Sequence, residues 1–173
     1  SNPFMLYAGQ EFGEHGMDKE GFSGKDGRTT IFDYWLVETL YRGYFECRQL
    51  STEETKLSLM YQKILKISNR EKAICEGSFF DLMYVNPQTY QFNPRSQYTF
   101  LRKYEDEAIL IVANFSGEDV QTSVTIPAHA FDFLKLPEKM VEAMDLLTGE
   151  QRTIALKKNG QISVDVPAYS GRI

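Results

Sequence analysis

Glu11, Glu14, Asp18, Glu20 and Asp26 crowd one segment near the start of the chain. Two carboxyl groups held about 5–9.5 Å apart can cleave a glycosidic bond, one as acid and the other as nucleophile or base. Most of these carboxylates fall in the stretch 13–28, which is rich in Gly, Asp, Lys and Glu and reads as a loop. Nothing in such a loop fixes a pair at a working separation, so the cluster reads as a solvated face. Other chemistries find less support. His15 and His129 are the only histidines, too far apart in sequence to build a metal site with Cys47 and Cys75. No Gly-x-Ser-x-Gly elbow is present, and Gly9-Gln10-Glu11-Phe12-Gly13 lacks the Lys-Ser/Thr ending of a phosphate loop. No cofactor and no metal is expected.

The elements that carry these residues fall into three zones. Phe4-Met5-Leu6-Tyr7-Ala8 is a continuous apolar run closed by Gly9, which reads as a strand buried on both faces. After the acidic loop, 29–35 is β-branched and aromatic, and 37–45 reads as a short helix. The second zone is a helix over 51–70. Ser51 and Glu54 have the spacing of a capping box, and Leu57, Met60, Tyr61, Ile64 and Ile67 recur at three and four residues to give one apolar stripe. Residues 71–75 extend that helix, and Gly77 stops it.

The third zone, 78–173, reads as all β. Strands are expected at 79–85, 98–104, 108–115, 120–126, 141–145, 153–156 and 161–166, separated by turn signals such as Asn93-Pro94, Ser116-Gly117 and Thr148-Gly149. Lys158-Asn159-Gly160-Gln161 is the strongest hairpin signal, because an Asn-Gly pair accepts positive φ. Ile162, Val164 and Val166 alternate with polar residues, so one face there is buried. The run 110–113 is apolar on both faces and belongs at the centre of a sheet. Strands of this length and number make an antiparallel sandwich.

Composition narrows the partners. With 42% hydrophobic residues the chain can bury a core, and a net charge of -5 gives no pull toward phosphate backbones. Nucleic acid is therefore not an expected partner. No stretch reaches the roughly 18 apolar residues of a membrane span. Cys47 and Cys75 read as two reduced thiols, and the compartment is left open. Ser1-Asn2-Pro3 has neither the basic start nor the apolar run of a signal peptide, and the native start is expected upstream.

Several segments resemble, in order, the end of α-amylase family enzymes, glycoside hydrolase family 13. Pro3 to Gly13 resembles the region of the eighth barrel strand. Asp26-Gly27-Arg28 and Phe32-Asp33-Tyr34-Trp35 are similar to the loop before the last barrel helix, and 51–70 to that helix. Phe100-Leu101-Arg102, 109–116 and Met144-Asp145-Leu146-Leu147-Thr148-Gly149 resemble the C-terminal β domain.

The resemblance implies a mainly β fold. Residues 1–76 would be a helical remnant of a (β/α)8 barrel (strand 8 region, loop and last helix), and 77–173 an antiparallel β-sandwich of the α-amylase C-terminal type. It also implies a parent enzyme acting on starch or maltooligosaccharides. The family's catalytic carboxylates lie at the ends of barrel strands upstream of Ser1, so no catalytic residue is expected here and the chain alone is expected to be inactive. In the intact parent, Gln10 and Glu11 would line or support the sugar pocket, Arg28 would face its carboxylates or a sugar hydroxyl, and Trp35 would stack on a ring or pack at the barrel rim.

Two further expectations follow. A lone barrel strand leaves two sheet edges unsatisfied, so this segment is expected at a contact between two copies of the chain. The other reading of the β domain is a carbohydrate-binding module, which requires coplanar exposed aromatics; Tyr90, Phe92 and Tyr98 are the candidates.

Overall fold

A computed structural model describes residues 4–14, 38–46 and 49–173. They fall into two compact units, one within 2–66 and one within 67–173. The expected elements at 29–35, with Arg28, Trp35 and Cys47, lie outside the described residues.

In the first unit the run 4–8 is not a strand. Phe4 and Met5 are exposed, and the chain bends at Gly9 into a 3₁₀ turn, Gln10–Phe12, closed by Gly13. The physical reason is pairing: a parallel strand exists only through neighbours on both edges, and no strand of this unit is present among the described residues. The expected short helix is real, as α1 (Glu38–Leu40) running into a π turn, Tyr41–Phe45.

Helix α2 (Thr52–Arg70) begins where the capping box places it. The Ser51 hydroxyl accepts the Glu54 N–H at 3.1 Å, and the Glu54 carboxylate accepts the Ser51 N–H at 2.7 Å. Arg42 adds two hydrogen bonds to the same carboxylate, each 2.7 Å. The Arg42 hydrogen bond is the main reason, and the Ser51 backbone the next, that the Glu54 pKa is held at about 2 instead of the ordinary 4.5.

A folded-state pKa below the unfolded value gives stability that is complete above pH 4.5 and is lost as the pH falls toward about 2. The far-UV helical signal is therefore expected to decline across that window. Glu54→Gln should start with less helix at neutral pH, by about 1 kcal/mol of cap and ion-pair stability, and stay flat through the same titration.

The second unit holds the end of α2, then α3 (Lys72–Cys75), eight strands and α4 (Ala128–Leu134). β1 (Ser78–Asp81), β2 (Gln97–Tyr104), β3 (Glu107–Asn114) and β8 (Ser170–Arg172) form an antiparallel sheet in the order β1-β2-β3-β8. β4 (Val120–Ile126) pairs with β7 (Gly160–Val166), and β5 (Lys139–Met144) with β6 (Gln151–Leu156). The apolar core lies between the four-stranded sheet and the β4–β7 pair. Leu101 and Val112 of the sheet share one buried cluster with Val124, Ile162 and Val164 of the pair and with Leu82, Phe92, Phe131 and Leu134.

The expected alternation in β7 holds, with Ile162, Val164 and Val166 buried and Gln161, Ser163 and Asp165 exposed. β3 is central, as its apolar run requires. The hairpin reading at 158–161 fails. Asn159 does take a positive φ of 60°, but the turn leads from β6 in one pair to β7 in another. Local turn chemistry fixes the bend and not the sheet that the next strand joins.

Two buried asparagines stitch the second unit together. The Asn86 amide donates to the carbonyls of Leu82 and Thr125, and its oxygen accepts the Thr125 N–H, so a side chain substitutes for a strand alongside β4. Asn114, 1% exposed, donates to the carbonyls of Glu118 and Pro167 and accepts from both the N–H and the hydroxyl of Ser116.

The Asp145–Gly149 stretch is an Asx-type turn. The Asp145 carboxylate accepts from the Leu147 N–H and the Thr148 hydroxyl, and Gly149 takes φ 81° as its N–H returns to the Asp145 carbonyl. Arg172 of β8 completes the turn at 2.9 Å. Burial raises the Asp145 pKa, but these hydrogen bonds and the Arg172 charge outweigh it and hold the carboxyl below its ordinary value.

Candidate functional site

Gln10 and Glu11 lie together on the 3₁₀ turn that Gly9 and Gly13 bracket, both glycines at positive φ. The turn holds its shape by its own backbone, with the Phe12 and Glu14 N–H groups both donating to the Gly9 carbonyl. Gln10 accepts the Tyr7 N–H through its oxygen at 3.2 Å and donates through its nitrogen to the Tyr61 hydroxyl of α2 at 2.9 Å. Glu11 accepts the Tyr44 hydroxyl at 2.6 Å, and that hydrogen bond to a carboxylate is the main reason the Tyr44 pKa is raised. Phe12 is buried beneath, edge-on to Tyr44 at 5.2 Å. Glu14 accepts from the Thr39 hydroxyl.

A cleft of about 420 Å³ opens beside this turn, walled by Tyr7, Glu11, Tyr44, Tyr61 and the α2 residues Leu59 and Leu65. Such a cleft, apolar with a few fixed hydroxyl and carboxylate groups, can orient a polar ligand by hydrogen bonds. The described residues contain no group of three or more His, Cys, Asp or Glu that could hold a metal ion. Sequence reasoning named Gln10 and Glu11, which share this turn, but gave no role to Tyr44, and read Tyr61 only as a member of the helix stripe. A tyrosine's hydroxyl partner depends on tertiary placement, which periodicity does not report. Arg28 and Trp35, the other expected sugar contacts, lie outside the described residues.

The aromatic candidates of the β domain separate. Tyr90 is 95% exposed, Phe92 is a core residue at 2%, and Tyr98 lies on the outer face of the four-stranded sheet against Phe100. The aromatic pairs among the described residues of this unit are tilted or edge-on, including Phe79–Phe100 at 42° and Phe80–Phe133 at 47°. The Phe79, Tyr98 and Phe100 strip shares its face with Arg102, which donates to the carbonyls of Ala73 and Ile74 and so ties α3 to the sheet.

Residues 78–173 thus form an antiparallel β-sandwich whose class is given by comparison with known families. Residues 88–173 match the family model described as maltogenic amylase, C-terminal domain. They belong to that family, and through them the chain joins the α-amylase group, glycoside hydrolase family 13.

Among solved structures the chain is similar to AmyP in complex with maltose, at 14% identity and a TM-score of 0.50, over 72% of this chain and 21% of that one. It is also similar to an Anoxybacillus α-amylase at 16% identity and a TM-score of 0.48, covering 72% and 22%. An isomaltulose synthase from Erwinia rhapontici matches at 21% identity and a TM-score of 0.38, covering 67% and 17%. The chain thus spans about a fifth of the length of these structures. No curated protein matches it.

Proposed function

We propose that this chain is the accessory C-terminal part of an enzyme acting on α-glucans such as starch or maltooligosaccharides. Residues 1–76 are the end of its (β/α)8 barrel, and 77–173 are a domain that stabilises that barrel. The match of residues 88–173 to the maltogenic amylase C-terminal domain carries the reading. The α-glucan class is supported by the AmyP structure, which is described with bound maltose. The stabilising role is supported by the separation of the aromatic candidates, since exposed Tyr90 and core Phe92 do not share one exposed platform. Leu57, Met60 and Ile64 of α2, each at least a third exposed, suit a helix made to pack against further protein.

In the intact enzyme, Gln10 and Glu11 support the sugar pocket by orienting neighbouring groups. Calorimetry with maltoheptaose is expected to show no saturable binding at millimolar sugar, and incubation with starch no release of sugar. Saturable binding would favour the alternative, a carbohydrate-binding module, and would sink the purely stabilising role.

The exposed Phe4 and Met5 also offer a second copy of the chain an apolar contact. Sedimentation velocity at high concentration is expected to show a dimer, and a strict monomer removes that part of the reading.

A further inference from the structure

Asn159-Gly160 is the one Asn-Gly pair in the sequence. Glycine has no side chain to hinder its amide nitrogen, so here a main-chain nitrogen can reach a carboxamide carbon more easily than at any other asparagine. Asn2, Asn86 and Asn93 precede proline, which has no N–H to give up. Asn69 and Asn114 precede the bulky Arg70 and Phe115.

The fold holds both reacting groups of the pair. The Asn159 side-chain oxygen accepts the N–H of Ala128, the first residue of α4, at 3.0 Å. The Gly160 N–H, whose nitrogen would attack, donates to the Lys157 carbonyl at 2.9 Å. The Asn159 N–H donates to the Ile126 carbonyl at 2.9 Å, and Lys158 pairs with Asp132 of α4 at 2.9 Å. Asn159 is nevertheless exposed. Solvent reaches its carboxamide, and what restrains the pair is this set of hydrogen bonds.

We propose that Asn159 is a deamidation site that its contact with α4 keeps closed, so that conversion proceeds when the turn lets go of that helix. Hydroxide takes the Gly160 amide proton, and the nitrogen bonds to Cγ of Asn159. The carboxamide nitrogen leaves as ammonia, taking a proton from water. Water then opens the five-membered ring at either carbonyl, giving aspartate or isoaspartate; the sum is one water consumed and one ammonia released. Either product adds a negative charge to a chain whose net charge is already -5. Isoaspartate also routes the main chain through Cβ, one atom longer, where β7 begins opposite Ile126. The first pair of the β4–β7 ladder then loses its spacing, and a domain converted while open does not close as before.

Mass spectrometry of the tryptic peptides of the full 173-residue chain, incubated at mildly alkaline pH, tests this. The synthetic peptide acetyl-Lys-Lys-Asn-Gly-Gln-Ile-amide gives the unrestrained rate. The folded chain is expected to convert at least roughly tenfold more slowly than the peptide, and at the peptide's rate in urea that abolishes its circular dichroism. The Ala128 amide is expected to be protected from hydrogen exchange by at least roughly tenfold, because one opening frees both groups. Ala128→Pro removes the N–H that holds Asn159 at the first helical position, where proline is accepted. It should keep the fold and speed conversion about fivefold, the ratio that one ordinary hydrogen bond is worth. Four results overturn the proposal: a folded chain that converts as fast as the peptide, an unprotected Ala128 amide, a folded Ala128→Pro chain that converts no faster, or aspartate without isoaspartate.

Discussion

Asn114→Ala is expected to lower the thermal midpoint of the β domain by at least roughly 10 °C, from a loss of about 3 kcal/mol. The amide of Asn114 ties together groups from two different segments. Its nitrogen reaches the carbonyls of Glu118 and Pro167, and its oxygen receives the Ser116 N–H and hydroxyl. Truncation leaves several of these polar groups unpaired at a position that water barely reaches, and an unsatisfied buried group costs about 1–3 kcal/mol. Asn114→Asp keeps the oxygen but loses the two N–H donors, so it should recover only part of the loss. Differential scanning calorimetry of the three proteins decides the matter. A shift below roughly 3 °C for the alanine variant would mean that water enters and replaces the amide.

Leu82→Ala is expected to cost about 3–4 kcal/mol by the removal of packing alone. Leu82 is fully buried where β1 gives way to the short turn Met83–Val85, in the cluster that also contains Phe80, Phe92 and Val124. No polar group depends on its side chain, so the cost is transfer free energy plus the cavity. Leu82→Met should cost less than about 1.5 kcal/mol. Chemical denaturation of both variants gives the comparison, and equal losses would show that the backbone at this bend, not the side-chain volume, is what fails.

Local signals were legible in the sequence where a short segment determined its own structure. The Ser51–Glu54 capping box is formed as read, β2, β3, β4 and β7 begin within one or two residues of their expected positions, and the apolar run of β3 put it at the centre of its sheet. Signals that depend on distant partners were not legible. The apolar run 4–8 has strand chemistry but no strands beside it. The expected strand at 79–85 stops at Asp81, whose carboxylate accepts the Met83 N–H and turns the chain. Helix α4 has no counterpart among the expected elements: it is seven residues long and begins directly after Pro127, too short for periodicity to show. Phe92 read as a loop aromatic because its burial comes from contacts across the sandwich.

The candidate site divides in the same way. Gln10 and Glu11 were named through the resemblance of their segment, and the structure places both on one local turn between two glycines. Tyr44 and Tyr61 join them through residues 33 and 51 positions away, a relation that no short window contains.

β4 ends at Ile126, and its only strand partner among the described residues, β7, begins at Gly160. β3, though central, waits still longer for its second neighbour, β8, at residue 170. A ribosome making this chain therefore releases the inner faces of β2, β3 and β4 well before the strands that cover or flank them exist. Folding of the sandwich is set by the arrival of its last residues, and until then the nascent chain presents apolar strands to the surrounding solution, the state in which chaperones and aggregation compete for it.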